Sequence, residues 1–209
     1  MNNYEFITLE GIEGVGKSTA IEVVRRVLED KGRDVIITRE PGGTPIGEKV
    51  RDILLSVQNN EMSPVSELFL LLAARAQHLA EVVSPALASG KCVVCDRFFD
   101  ATFAYQGAGR GLDLSIIKSA TDLISPFFIP TLTLLLDAPV EVGFKRIENR
   151  GHTDRFEEQN RSFFERIRAS YLNRAQLEPK RFCVIDASQS LGEVSNNVEL
   201  ILQEKFGSL

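Results

Sequence analysis

Five short apolar segments, residues 5–9, 34–38, 92–95, 131–136 and 182–185, are each separated from the next by stretches with helical spacing of apolar residues. Strand-forming runs that alternate with helices build a parallel sheet whose two faces are covered by those helices. Ligands of such sheets bind beyond the carboxyl ends of the strands. The residues with chemistry fall there: Glu10 and a glycine-rich loop after the first segment, Arg39, Glu40, Pro41, Gly42 and Gly43 after the second, Asp96 and Arg97 after the third, Asp137 after the fourth, and Asp186, Ala187 and Ser188 after the fifth. One crevice is expected at that edge.

The glycine-rich loop narrows its contents. Gly11, Ile12, Glu13, Gly14, Val15, Gly16, Lys17 and Ser18 fit G-x-x-x-x-G-K-[ST], and Thr19 opens a helical pattern over 19–31 in which Ile21, Val24 and Leu28 share a face and Gly32 is the stop. Glycines without Cβ atoms let consecutive backbone N–H groups point inward at a phosphate. Lys17 then reaches the β- and γ-phosphates, and the Ser18 hydroxyl can ligate Mg²⁺ beside the helix N-terminus. A merely flexible glycine turn would need neither the Lys-Ser pair nor the strand before it.

At 209 residues and 44% hydrophobic content the chain can bury one good core, and no low-complexity linker or repeat divides it, so residues 1–209 are expected to form a single domain. No run approaches a membrane span, and the N-terminus has a strand pattern, so a cytoplasmic protein without a membrane partner is expected. A net charge of −5 offers nothing to nucleic acid, so phosphate affinity must be local. Three cysteines do not make a disulfide framework. Cys92-x-x-Cys95 lies inside an apolar strand, where it reads as core rather than as a metal or redox site.

Phosphoryl transfer needs positive charge around an in-line path, with Mg²⁺ between the phosphates. Asp96, at a strand end, suits a Walker-B-like role through water, and Arg97 beside it can clamp a phosphate. Arg150 and Arg155 flank a glycine between two helical patterns, 140–149 and 159–177, as a closing lid would require. Arg75 is set in an apolar helical block that starts at Pro64 and runs toward Ala88; it either snorkels to solvent or hydrogen-bonds a ligand in the crevice. Residues 98–112 look like a binding loop, too polar and glycine-rich for core. His78 and His152 read as incidental.

These strings together resemble one family, the thymidylate kinases, which phosphorylate dTMP to dTDP with ATP. The matching residues are 10–19, 39–44 (REPGGT), 73–75, Asp96-Arg97, 104–107 (AYQG), 150–157 (RGHTDRFE) and 185–188, and they span nearly the whole chain. The resemblance implies an α/β fold, a three-layer sandwich of the P-loop NTPase type with a five-stranded parallel sheet. It also implies ATP and Mg²⁺, a product destined for dTTP synthesis, a lid at about 150–157 and a homodimer.

By resemblance, residues 11–19 hold ATP phosphates, Ser18 and Asp96 serve the metal, and Ala187, Ser188 and Gln189 meet the adenine. Lys17, Arg97, Arg150 and Arg155 are the catalytic charges, in the bacterial pattern in which the lid supplies arginine instead of the phosphate loop. Glu13 meets the sugar 3′-hydroxyl, Arg75 and Thr102 read the thymine edge, Tyr105 crowds the sugar 2′ position, and Pro41, Arg51 and Gln106 lie around the acceptor.

The chain departs from the family at Leu71, where a phenylalanine usually stacks on thymine, at Ala101 and Phe98, and at Glu148, which replaces a lid arginine of some relatives. Leu71 and Ala101 leave a kinase of another deoxynucleotide or nucleoside as one alternative; a nucleotide-binding switch without kinase activity is an alternative of a different class.

Overall fold

The structure is a computed structural model that describes residues 5–124, 128–148 and 154–207. Its first element, β1 (Phe6–Glu10), is buried along its whole length, as an apolar run must be when both faces of a sheet are covered. There follow α1 (Lys17–Asp30), β2 (Val35–Arg39), α2 (Pro45–Leu55), α3 (Pro64–His78), α4 (Ser84–Ala88), β3 (Cys92–Asp96) and α5 (Phe99–Thr102). After these come α6 (Leu114–Ile124), β4 (Leu132–Asp137), α7 (Val140–Glu148), α8 (Arg161–Leu177), β5 (Phe182–Asp186) and α9 (Leu191–Phe206).

The sheet is parallel, in the order β2-β3-β1-β4-β5. The chain moves to one side of β1 for β2 and β3 and to the other for β4 and β5, so the crevice of a doubly wound sheet opens at the carboxyl end of β1. Leu9 sits level with Asp96 on β3 and with Leu134 on β4, which brings the phosphate loop and the Asp96-Arg97 pair to one edge.

Each strand runs one residue beyond the apolar run that announced it, ending on Glu10, Arg39, Asp96, Asp137 or Asp186. Ladder hydrogen bonds are made by the backbone and continue through a charged residue, so the charges stand at the rim of the sheet itself. Alternation along the strands separates two packing clusters. Ile7, Leu9, Cys92 and Val94 pack with α1, α8 and α9, while Phe6, Val93 and Cys95 pack with Leu79, Val83 and Ala86. Cys92 and Cys95 therefore face opposite sides of the sheet and cannot share a ligand. Burial pushes the Cys92 thiol up to about 12 and the Cys95 thiol well above its ordinary range. No helix among the described residues is long and apolar enough to cross a membrane.

α2 and α3 each open on a capped first turn: Thr44 and Ser63 accept from the Gly47 and Ser66 backbone N–H groups, with Pro45 and Pro64 just inside. α3 continues to α4 through a wider π-helical turn, Leu79–Val83. Pro85 explains it, since it brings no N–H to the helical ladder and its ring crowds the carbonyl four residues back.

The expectation of a loop over 98–112 needs correction. Most of it is helical, α5 followed by a π-helical stretch Phe103–Gly109, and Ala104, Tyr105, Gln106, Gly107 and Gly109 are buried. The glycines read as loop signals serve close packing instead: a Cβ on Gly107 would stand 2.5 Å from Leu114 Cδ2, and one on Gly109 2.6 Å from Phe163 Cε2.

Candidate active site

The phosphate loop is shaped by contacts that leave no room for side chains. Gly14, with φ 76°, would place a Cβ 2.4 Å from the Gly143 carbonyl oxygen of α7. Gly16, with φ 96°, stands at the N-cap of α1 with open space before it and no side chain capping the helix. The first N–H groups of α1 are thus left for an anionic ligand. Ile12 and Val15 turn into the core, so they serve the cradle through their backbone. The Lys17 ammonium bridges the Gly11 and Ile12 carbonyl oxygens at 3.2 and 3.0 Å. Burial and the nearby Arg97 charge lower its pKa to about 8, a shift that phosphate anions would reverse.

Lys17, Ser18, Thr19 and Asp96 line the same crevice, of about 400 Å³. Asp96 Oδ1 is buried without a hydrogen-bond partner among the described residues. An orphaned carboxylate oxygen in one crevice with the Ser18 hydroxyl fits a hydrated divalent cation held between them.

Arg97 has a left-handed backbone, φ 67°, which is strained for a residue with a Cβ. Its backbone N–H donates to Leu9 O at 3.0 Å. Its guanidinium is fixed on three sides. Nη1 donates to Gly11 O at 2.9 Å and to the Tyr171 hydroxyl at 3.2 Å, and Nη2 donates to Glu13 Oε1 at 3.0 Å. The Tyr105 hydroxyl lies 2.8 and 2.7 Å from the two Glu13 oxygens, and the Arg97 guanidinium stands 4.8 Å over the Tyr105 ring. Three residues expected around one reacting centre, Glu13, Arg97 and Tyr105, are thereby in mutual contact.

Glu10 is the buried foundation of this group, accepting from the Phe98 N–H at 2.8 Å and the Tyr171 hydroxyl at 2.7 Å. Burial, with the Asp100 charge adding to it, raises its pKa from 4.5 to about 7.

The same crevice is also lined by Pro41, Arg51, Leu71, Arg75, Thr102 and Gln106. Arg75 does not snorkel. It is 2% exposed, pairs with Glu40 at 2.6 Å, donates to Thr102 Oγ1 at 3.0 Å and lies 5.1 Å over the Phe98 ring. Its Nη1 has no hydrogen-bond partner among the described residues. Arg51 donates to Pro41 O at 3.0 Å and Gln106 to Glu67 at 2.8 Å.

Arg155 is placed elsewhere than expected. It is 1% exposed, with Nη2 on Glu67 Oε2 at 2.6 Å and Nε on Leu54 O at 2.7 Å. A buried guanidinium goes to the carboxylate that neutralises it, and here that carboxylate belongs to α3, 88 positions away. Arg150 and His152 lie outside the described residues. Ala187, Ser188 and Gln189 form the turn after β5, where the Ala187 N–H donates to Asp137 O at 2.7 Å.

Arg146, which had drawn no notice, joins the two loops: its Nη1 lies 3.4 Å from Gly14 O and 3.1 Å from Ala187 O. Tyr171, Glu40 and Glu67 were likewise missed as supports; only their long-range partners reveal them.

Against this geometry the comparisons with known proteins are decisive. The family model described as "Thymidylate kinase" matches residues 9–198. The chain belongs to the thymidylate kinase family. A thymidylate kinase of Pseudomonas syringae pv. tomato is 50% identical over 199 residues, 95% of each chain. One from Pseudomonas putida is 51% identical over 197 residues, 94% of each chain. Among solved structures, thymidylate kinase from Ehrlichia chaffeensis superposes with a TM-score of 0.77 at 33% identity, covering 96% of this chain and 98% of that one. The matched span, residues 9–198, takes in the glycine-rich loop and every later strand, and membership carries the P-loop fold with it.

Proposed function

We propose that the chain transfers the γ-phosphoryl group of ATP to the 5′-phosphate of dTMP, giving dTDP for dTTP synthesis. The observation that carries this reading is that one crevice is lined by Lys17 and Gly16 at the open N-terminus of α1, by Arg97, and by Arg75, whose Nη1 has no partner among the described residues. A mononucleotide in that crevice would set its phosphate at Arg97 and its base at Arg75. Neither alternative, another acceptor nor a silent switch, gains an observation.

The roles follow from the donors available. Backbone N–H groups of residues 11–19 and Lys17 hold the β- and γ-phosphates; Ser18 directly and Asp96 through water would hold Mg²⁺, which supplies charge neutralisation between the phosphates. Arg97, already rigid on Glu13, Tyr171 and Gly11 O, offers its charge to donor and acceptor phosphates together, so little reorganisation is needed at the transition state. Glu13 accepts from the sugar 3′-hydroxyl while Tyr105 fills the 2′ side. Arg75 and Thr102 face the base edge, Leu71 and Phe98 its faces, and Pro41, Arg51 and Gln106 the surrounding rim. Ala187, Ser188 and Gln189, tied to the phosphate loop by Arg146, border the adenine. Arg150 brings lid charge, and Arg155, clasped by Glu67, anchors the base of that lid at 150–157.

A single domain over 1–209, a cytoplasmic location where ATP and dTMP are metabolites, and a homodimer complete the proposal. The dimer is supported by the outward apolar side chains of α3, Val65 and Phe69, which are 51% and 65% exposed. The roles are tested by Lys17→Ala and Arg97→Ala: each should abolish turnover in a protein that remains folded, and near-normal kcat in either would reject the assignment.

A further inference from the structure

Behind Arg75 a chain of buried polar groups runs away from the crevice. Arg75 Nε donates to Glu40 Oε2 at 2.6 Å. The other carboxylate oxygen, Oε1, lies 2.9 Å from His78 Nδ1, and His78 Nε2 lies 2.6 Å from Thr38 Oγ1. Exposure is 2% for Arg75, 5% for Glu40, 0% for His78 and 9% for Thr38, so water does not replace any member. A carboxylate accepts only, so Nδ1 carries the proton, and the threonine hydroxyl satisfies the far nitrogen. Each oxygen of Glu40 is thereby assigned and its rotation fixed.

The opposite side of the guanidinium is fixed as well, by Thr102 on Nη2 and the Phe98 ring beneath. With Nε and Nη2 engaged, Nη1 is left as a donor without a partner among the described residues. An arginine has no acceptor, so this nitrogen suits a carbonyl oxygen and opposes an amino group. The loop between β2 and α2 closes over the relay: a Cβ on Gly43 would lie 2.7 Å from both His78 Cδ2 and Thr38 Oγ1.

We infer that His78, backed by Thr38, is a positioning residue that sets base selectivity: through Glu40 it holds Arg75 so that Nη1 is aimed at a carbonyl of the acceptor base. The inference rests on dTMP being the acceptor. Thymine presents a carbonyl where cytosine presents an amino group, alongside the N3 proton and the 5-methyl group that cytosine lacks, so dTMP and dCMP are the pair that a fixed donor at that ring position separates. A fixed donor discriminates strongly because the wrong base leaves buried polar groups unpaired.

The test is kcat and KM for dTMP and dCMP, with ATP saturating, in the wild type, His78→Leu, His78→Asn and Thr38→Val, alongside thermal unfolding. His78→Leu should raise KM for dTMP about tenfold with kcat changed little, and lower the dTMP-to-dCMP ratio of kcat/KM by about tenfold. His78→Asn, which keeps a donor for Glu40, should recover most of the ratio. Thr38→Val, which removes only the far hydroxyl, should lower it about threefold. An unchanged ratio in His78→Leu and Thr38→Val, with dTMP preferred by the wild type, overturns the relay alone. A wild type that does not prefer dTMP overturns the acceptor reading and the relay with it.

Discussion

Gly143→Ala should damage catalysis from a helix that touches no substrate. Gly143 lies within α7, where alanine is favoured over glycine by about 1 kcal/mol, so the helix itself gains. The added Cβ, however, would stand 2.6 Å from the Glu13 carbonyl oxygen, whereas ordinary contact begins near 3.4 Å. The obstacle is main chain of the phosphate loop, so the loop or α7 must yield by roughly 0.8 Å, at an overpacking cost of about 1–3 kcal/mol.

The balance leaves a net loss of up to about 2 kcal/mol, or at most roughly 8 °C in Tm for a chain of this size. The functional loss is larger in proportion. Glu13 carries Arg97 and Tyr105 on its carboxylate, and a displacement approaching 1 Å in a positioning group costs up to about a hundredfold in rate. A coupled assay of ADP formation should show kcat reduced ten- to a hundredfold with Tm lowered modestly. A kcat within twofold of wild type at unchanged Tm would refute the argument that the loop is held by backbone contact with α7.

Three further outcomes follow from the buried charges. ATP affinity should depend on Lys17 ionisation: phosphate favours the ammonium, so Kd is lowest below the free-enzyme pKa of about 8 and weakens above it by up to about tenfold per pH unit; calorimetry at pH 7, 8 and 9 giving one Kd would contradict this. Glu67→Ala strands the buried Arg155 and should cost about 3–5 kcal/mol, roughly 6–20 °C in Tm, part of which Arg155→Met restores in the double variant; a loss below about 1 kcal/mol would remove the clasp from the account. The raised pKa of Glu10, from 4.5 to about 7, means that the native state keeps a proton the unfolded chain releases, so its stabilising contribution is present below pH 4.5 and lost by pH 7. Unfolding free energies of wild type and Glu10→Gln should therefore diverge by about 3 kcal/mol over that window, the variant gaining as pH rises, and parallel curves would be inconsistent with it.

What the sequence disclosed and what it withheld divide along the range of the interactions. The strands, α1 and the phosphate loop are local objects: an apolar run, a glycine spacing, a lysine before a helix. Asp96 and Arg97 were legible because a strand end dictates where they stand. Arg75 was legible as a problem, since a charge in an apolar helix must find a partner, yet its partner Glu40 lies 35 positions away. His78 looked incidental for the same reason: its meaning comes from Thr38, 40 positions earlier. Arg155, in the connection between two helical patterns, read as a lid charge, because its partner Glu67 lies 88 positions away. The π-helical stretch Phe103–Gly109 misled because its glycines answer to Leu114 and Phe163 rather than to a turn.

The account's central claim is that one crevice joins ATP to dTMP. The most direct measurement is ADP formation from ATP and Mg²⁺ across dTMP, dUMP, dCMP, dGMP and thymidine at matched concentrations. The account predicts the highest kcat/KM for dTMP, lost in Arg97→Ala. Efficient turnover of another acceptor with little of dTMP, or no phosphoryl transfer to any of them, would contradict it.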